Sequence, residues 1–241
     1  MIWESLKFFT TRLQNLPVSK TEFFYDDKGY CVSVGCPYEG WVFYQDRIKR
    51  PLVIKEALEF FEGVPFIWPV YSGGESLLEE AGLTYGESLT GMIFDNFSGL
   101  CSYEPDEDIN ITVTFCSDSR QWARAYMLGF YGSLESLNEK FFAFTDSLFK
   151  DPFMKLGLAY LDGDLAGSFA LTLEENCRGV YYFSTVPDAR RMGVATAMMD
   201  FICKNSGGLP VVLQATEMGL SFYKKFGFKE FFKIPAYSWE G

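Results

Sequence analysis

The segment of this 241-residue chain with the clearest chemical potential is residues 180–199, which read VYYFSTVPDARRMGVATAMM. A β-branched and aromatic run leads through a basic turn into a stretch rich in Ala and Met that predicts a helix. The first amides of a helix lack intrahelical partners, and the helix dipole adds partial positive charge there. Arg190 and Arg191 add full charges, while Gly193 and Ala195 allow a close approach to the backbone. The pattern indicates an anion site suited to a pyrophosphate, although a purely structural turn with solvated arginines fits the same residues.

Histidine is absent from the chain, which excludes several kinds of catalytic site. A Ser-His-Asp or Cys-His set, an HExxH zinc site and an imidazole proton shuttle all require it. Any general acid or base must therefore be Asp, Glu, Tyr, Cys, Lys or water. The six cysteines are scattered and form no CxxC pair, so we expect reduced thiols and no metal site.

Two motifs together resemble a known family, the GCN5-related N-acetyltransferases (GNAT). The first motif resembles the acyl-CoA loop of that family. It consists of a strand that ends in Val and Pro, followed by Arg-x-x-Gly-x-Ala at the N-terminus of a helix. Arg190, Gly193 and Ala195 hold the motif positions. Downstream, LSFYKKFGF (residues 220–228) resembles the second signature, a helix with a Tyr followed four residues later by Gly-Phe. The order of strands and helices over residues 110–237 also fits the family fold, so the resemblance covers the second half of the chain.

The resemblance implies a role for each part of these motifs. The strand would pair through its backbone with the pantetheine arm of acetyl-CoA, and an amide near Ser184 or Thr185 would hold the carbonyl oxygen as it gains charge. The turn would hold the pyrophosphate, and Tyr223 would protonate the departing thiolate. The base that takes the amine proton stays open among water, Glu217, Asp146 and Glu135. The implied cofactor-binding residues are Phe183, Ser184, Thr185, Val186, Arg190, Arg191, Met192, Gly193, Val194, Ala195 and Thr196.

An internal repeat and a charge asymmetry predict two similar halves. FIWPVYSGGESLLEEAGL (66–83) aligns without a gap on VVLQATEMGLSFYKKFGF (211–228). Residues 1–108 carry 8 basic and 18 acidic side chains, a net charge of −10, whereas residues 109–241 carry 13 and 14, a net charge of −1. The seam is expected at residues 97–108, which contain Gly, Pro and an acidic run. We therefore predict domains over 1–108 and 109–241, of which only the second is complete.

The first half departs from the family pattern at the position that corresponds to the acyl-CoA loop. Extended upstream, the repeat places that loop on residues 45–50, which contain no Gly or Ala and include Asp46. Tyr223 would correspond to Leu78. This half is therefore interpreted as a degenerate GNAT-like domain that packs on the second half and contributes to the wall of the acceptor site.

Alternating strand and helix patterns predict an α+β fold with a mixed sheet, because consecutive hairpins accompany the strand–helix–strand units. Helices are expected at residues 3–16, 51–63, 75–81, 119–130, 134–149, 193–204 and 219–226. Strands are expected at residues 21–25, 30–34, 40–44, 65–71, 89–94, 110–116, 155–160, 166–173, 180–186, 211–214 and 228–237.

The leading hypothesis is an N-acetyltransferase that moves an acetyl group from acetyl-CoA, its co-substrate, to the amine of a small molecule or peptide by direct attack in a ternary complex. The alternatives are a non-catalytic acyl-CoA-binding or sensor module and a protein that binds another diphosphate at the same turn. The net charge of −11 disfavours nucleic acid as a partner. No apolar run is long enough to span a membrane and no signal peptide is evident, so a cytoplasmic location is expected. The acceptor, the acyl-chain preference and the oligomeric state stay open.

Overall fold

A computed structural model of the chain describes residues 1–34, 40–95 and 109–239. The seam expected at residues 97–108 lies outside the described residues, as do Cys36 and Cys101. The other four cysteines have free thiols. Within the described part of the chain, no helix combines the length and the apolar character that crossing a membrane requires.

The helices and strands follow the predicted order. The helices are α1 (Ile2–Gln14), α2 (Pro51–Phe61), α3 (Glu75–Glu80), α4 (Ser119–Tyr131), α5 (Glu139–Lys150), α6 (Val194–Lys204) and α7 (Glu217–Phe226). The strands are β1 (Lys20–Phe23), β2 (Gly29–Ser33), β3 (Gly40–Tyr44), β4 (Phe66–Pro69), β5 (Thr84–Phe94), β6 (Ile111–Phe115), β7 (Met154–Leu161), β8 (Asp164–Leu173), β9 (Arg178–Thr185), β10 (Val211–Ala215) and β11 (Lys229–Trp239).

Local capping explains where several helices begin and end. Pro51 occupies the first turn of α2, where its missing N–H costs nothing. The Asp118 side chain accepts the N–H of Arg120 at 2.9 Å and starts α4. The prediction that the next helix begins at residue 134 is wrong, because Asn138 caps α5 by accepting the N–H of Phe141 at 3.1 Å.

The described strands form one mixed sheet in the order β1-β2-β3-β4-β11-β5-β10-β9-β8-β7-β6. In the first half, β3 and β4 are parallel neighbours, and in the second half β9 and β10 are parallel neighbours. Between these pairs the two halves exchange strands, because β11 lies beside β4 and β5 lies beside β10. The α+β fold with a single mixed sheet is therefore confirmed, and the two halves are built into one sheet.

Two apolar clusters, each with side chains from both halves of the chain, position the candidate site. One cluster joins α1, α4 and α5 to one face of the sheet, with Phe9, Trp122 and Phe144 fully buried in it. The other joins α6 and α7 to the other face, with Met198, Leu213 and Tyr223 buried in it. Since both clusters include side chains of β9, that strand is fixed from both faces.

Candidate active site

The site is built around a gap between two parallel strands. β9 and β10 pair at Arg178–Val211 and at Gly179–Val212, and the described backbone shows no pairing between them beyond these positions. On its other edge, β9 stays paired with β8 as far as Thr185. The two strands therefore separate after these pairs. The edge of β9 that faces β10 then carries unpaired backbone groups with which a bound chain can form hydrogen bonds.

A bulge in β9 accompanies this divergence. Tyr182 has φ of +52°, which is rare for a non-glycine residue, and the register with β8 shifts between Ser168 and Ala170. A bulge places an extra residue on one strand and bends that strand locally. Nothing in the residue types of this strand predicts the bulge.

The turn predicted to bind an anion lies directly before α6 and contains two residues with positive φ. A single 3-10 turn, Pro187–Ala189, leads to Arg191 at φ +65° and Gly193 at φ +87°. Gly193 is the N-cap of α6 and provides no side chain to occupy the first amides of the helix. Those amides lack intrahelical partners, and the half-buried Gly193, Ala195 and Thr196 leave only small side chains around them. The turn can therefore receive an anion at the start of α6.

Arg190 is held by backbone carbonyls, which the sequence did not reveal. Its Nε donates to the carbonyl oxygen of Thr185 at 3.2 Å, and its Nη2 donates to that of Gly129 at 3.2 Å. The guanidinium thus ties the end of β9 to the last turn of α4, where carbonyls lack intrahelical partners. Its charge still adds to the field of the turn, and the neighbouring Arg191 is exposed as well.

Gly129 is a further residue of the site that sequence reasoning missed. A β-carbon at this position would collide with the Ser184 hydroxyl and lie 2.7 Å from the Ser184 Cβ. The absence of a side chain lets α4 approach β9 closely. The Ser184 hydroxyl is buried and lies 3.0 Å from the Ser168 hydroxyl, so the side chain of Ser184 serves the packing of the sheet.

Tyr223 lies against the strand gap. Its ring centroid is 6.0 Å from that of Phe183 on β9, and the ring also contacts Phe222 and Phe228. Only 8% of Tyr223 is exposed, and this burial raises the pKa of its hydroxyl above the ordinary value. The hydroxyl therefore keeps its proton at neutral pH, which is the state that a general acid needs.

The candidate bases lie in different places. Glu217 is exposed at the start of α7, and its N–H donates to a carboxylate oxygen of Glu87 on β5 at 3.0 Å. Asp146 accepts a hydrogen bond from the Ser119 hydroxyl and so connects α5 to the start of α4. Glu135 is exposed in the connection between α4 and α5. The described residues contain no group of three or more His, Cys, Asp or Glu side chains that could hold a metal.

The corresponding loop of the first half differs from the turn before α6. Residues 45–50 connect β3 to α2, and the N-cap of α2 is Arg50 in an extended conformation. Asp46 is paired with Lys28 at 2.6 Å, and this hydrogen bond lowers the pKa of the Asp46 carboxyl. This loop contains an acidic side chain and bulky β-carbons, whereas the start of α6 has Gly193 and Ala195.

Comparisons with known proteins identify an acetyltransferase domain in the chain and a shared fold. Residues 154–230 match the sequence model of the acetyltransferase (GNAT) domain. No curated protein matches the chain. Among solved structures, a GCN5-related N-acetyltransferase from Kribbella flavida is similar over 100% of this chain and 96% of its own, with a TM-score of 0.64 and 11% identity.

Two further structures are similar at low sequence identity. A GCN5-related N-acetyltransferase from Sphaerobacter thermophilus matches with a TM-score of 0.61 and 16% identity, over 88% of this chain and 76% of its own. A tandem GNAT protein from the clavulanic acid biosynthesis pathway, solved without acetyl-CoA, matches with a TM-score of 0.61 and 10% identity, over 93% of this chain and 84% of its own. At these identities the structures establish a shared fold.

Proposed function

We propose that this chain, which carries an acetyltransferase (GNAT) domain over residues 154–230, transfers an acetyl group from acetyl-CoA to the amine of an acceptor. One observation carries the proposal: the two motifs, distant in sequence, meet at the strand gap, where the ring of Tyr223 contacts that of Phe183 at 6.0 Å. The general acid and the strand that would hold the thioester therefore border the same opening.

Acetyl-CoA would bind along β9 and across the turn. The pantetheine arm would pair with the inner edge of residues 183–186, and the pyrophosphate would lie on the amides of residues 191–196. The exposed Arg191 adds a positive charge at the pyrophosphate. The carbonyl of Thr185 already accepts from Arg190, so the arm would share that carbonyl or pair with its neighbours.

Direct attack by the amine accounts for the chemistry. The neutral amine nitrogen forms a bond to the acetyl carbon, the carbon–sulfur bond breaks, and the amine loses one proton to a base or water. Tyr223 gives its proton to the departing thiolate and is reprotonated from solvent. Holding the amine and the thioester together supplies much of the acceleration, because a bimolecular step becomes effectively unimolecular.

A ligand titration tests the cofactor assignment. Acetyl-CoA should raise the melting temperature of the wild-type protein with increasing concentration, and ATP should not, because a ligand that binds only the folded state stabilises it. Gly193→Glu should abolish the shift with acetyl-CoA. Gly163→Glu is the matched control, since Gly163 also has positive φ, at +93°, but lies in the turn between β7 and β8.

Transfer itself is tested by following free thiol release from acetyl-CoA across a panel of polyamines, aminoglycosides, amino acids and basic peptides. Acetylated product with at least one amine supports the enzyme. Binding that survives Tyr223→Phe, with no transfer to any amine by the wild type, would support the non-catalytic acyl-CoA-binding module instead. No shift with any CoA compound would overturn the site assignment.

A further inference from the structure

The narrow end of the strand gap contains a buried amide that the proposed reaction does not yet use. Gln214 on β10 lies opposite Gly91 of β5, two residues beyond the last pair of β9 and β10, Val212–Gly179. Its Nε2 is buried and makes no hydrogen bond of standard geometry to any described residue. A buried donor without a partner costs free energy, so this nitrogen needs an explanation.

A row of hydrogen bonds fixes the Tyr181 hydroxyl, which is the polar group next to this amide. The Ser5 hydroxyl donates to a carboxylate oxygen of Glu174 at 2.6 Å, and the Tyr181 hydroxyl lies 3.2 Å from the same Ser5 oxygen. A serine hydroxyl has one hydrogen, and here it is directed to Glu174, so Tyr181 is the donor to Ser5. The ring of Tyr181 stacks on Phe9 at 3.8 Å, which prevents it from turning.

These hydrogen bonds leave the side-chain amide of Gln214 with one N–H that has no acceptor. Burial raises the pKa of the Tyr181 hydroxyl, and the Gln214 side chain opposes part of that rise, so the two side chains lie close together. Since an amide nitrogen carries two hydrogens, at most one of them is directed toward Tyr181. The other has no acceptor among the described residues. A carbonyl oxygen bound in the gap would provide the missing acceptor for this hydrogen.

We infer that Gln214 donates a hydrogen bond from Nε2 to the carbonyl oxygen of the acyl group. The inference rests on the proposed function, because acetyl-CoA extended along β9 would bring its thioester to the narrow end of the gap. As the amine attacks, negative charge develops on that oxygen, and a donor already fixed in a buried site stabilises it. The N-terminal helix takes part through Ser5, which orients Tyr181 and thereby the amide.

The test compares two ligands that differ in the carbonyl oxygen. Acetyl-CoA and S-ethyl-CoA, a thioether of the same length, are titrated by calorimetry into the wild type, Gln214→Leu and Gln214→Met. The wild type should bind acetyl-CoA about threefold to tenfold more tightly, as expected for one hydrogen bond. Both variants should bind the two ligands equally. Gln121→Leu, on α4, is the matched control and should keep the preference, and melting curves establish that every variant is folded.

The outcomes separate the inference from the function on which it rests. A preference that survives in a folded Gln214 variant, or a wild type that binds both ligands equally, overturns the role of Gln214 and leaves the acetyltransferase assignment intact. A wild type that binds neither ligand overturns the acyl-CoA site itself. A preference lost in Gln214→Leu and Gln214→Met but kept in Gln121→Leu supports the inference.

Discussion

Replacing Tyr223 with Phe separates the chemical role of its hydroxyl from the packing of its ring. The ring packs against Phe183, Phe222 and Phe228, and these contacts do not involve the hydroxyl. The structure shows no hydrogen bond from that hydroxyl to another described residue. Tyr223→Phe should therefore change the free energy of unfolding by less than about 1 kcal/mol. A fall in the rate of acetyl transfer in this variant would then reflect the loss of the hydroxyl as a proton donor.

The expected loss of rate follows from the role of a general acid. Such a group contributes on the order of 100-fold to 10,000-fold, and a thiolate, being a good leaving group, places the loss near the lower limit. We expect kcat to fall about 100-fold at pH 7.5, with little change in the KM for acetyl-CoA. The assay is thiol release at saturating acetyl-CoA with an amine found in the screen.

Tyr237→Phe is the matched control for this experiment. Tyr237 is also buried, at 4% exposure, and its hydroxyl donates to Glu79 of α3 at 2.8 Å; it lies on β11, which β5 separates from β10. Its loss should lower stability slightly and leave kcat unchanged. If Tyr223→Phe retains kcat to within about threefold, or if the two variants lose activity equally, Tyr223 is not the acid.

Three further predictions concern the turn, the helix contact and the pH dependence. Gly193→Ala should cost about 1–2 kcal/mol, because φ is +87° at this position, and should weaken acetyl-CoA binding; urea unfolding and calorimetry measure the two effects. Gly129→Ala should cost about 1–3 kcal/mol by forcing α4 away from Ser184, and unchanged urea stability would contradict the close approach. Burial raises the pKa of Tyr223, so the acid stays protonated and kcat should show no decrease up to about pH 10; a decrease near pH 8 that disappears in Tyr223→Phe would contradict this reasoning.

Local sequence signals predicted most helices and strands, and they failed where tertiary packing decides. The apolar Leu134 and Leu137 extended the expected helix toward residue 134, whereas both pack against the core from the segment before α5. Asn138 is a strong N-cap residue, and it marks the true start of that helix. The spacing of the apolar residues and the N-cap residue thus predicted different starts for this helix, and the N-cap residue marks the observed one.

The site was predictable where its function depends on residue type, and not where it depends on neighbours. Gly193 and Arg190 were predicted as cofactor-binding residues because Gly and Arg at the start of a helix form a recognisable pattern, and this role stays a prediction. The contact of Gly129 with Ser184, the bulge at Tyr182 and the buried amide of Gln214 depend on chain segments that are remote in sequence. No spacing in the sequence encodes such contacts.

The exchange of strands changes how the two predicted domains relate to each other. The internal repeat suggested separate halves, and the boundary between residues 108 and 109 remains a prediction. In the sheet, however, β5 of the first half runs between β10 and β11 of the second, from Phe94 opposite Val211 to Thr90 opposite Ala215. The Glu87 carboxylate on the same strand accepts the first N–H of α7, the helix that carries Tyr223. The first half therefore supports the candidate site through the sheet itself, and this structural role does not require it to bind acyl-CoA.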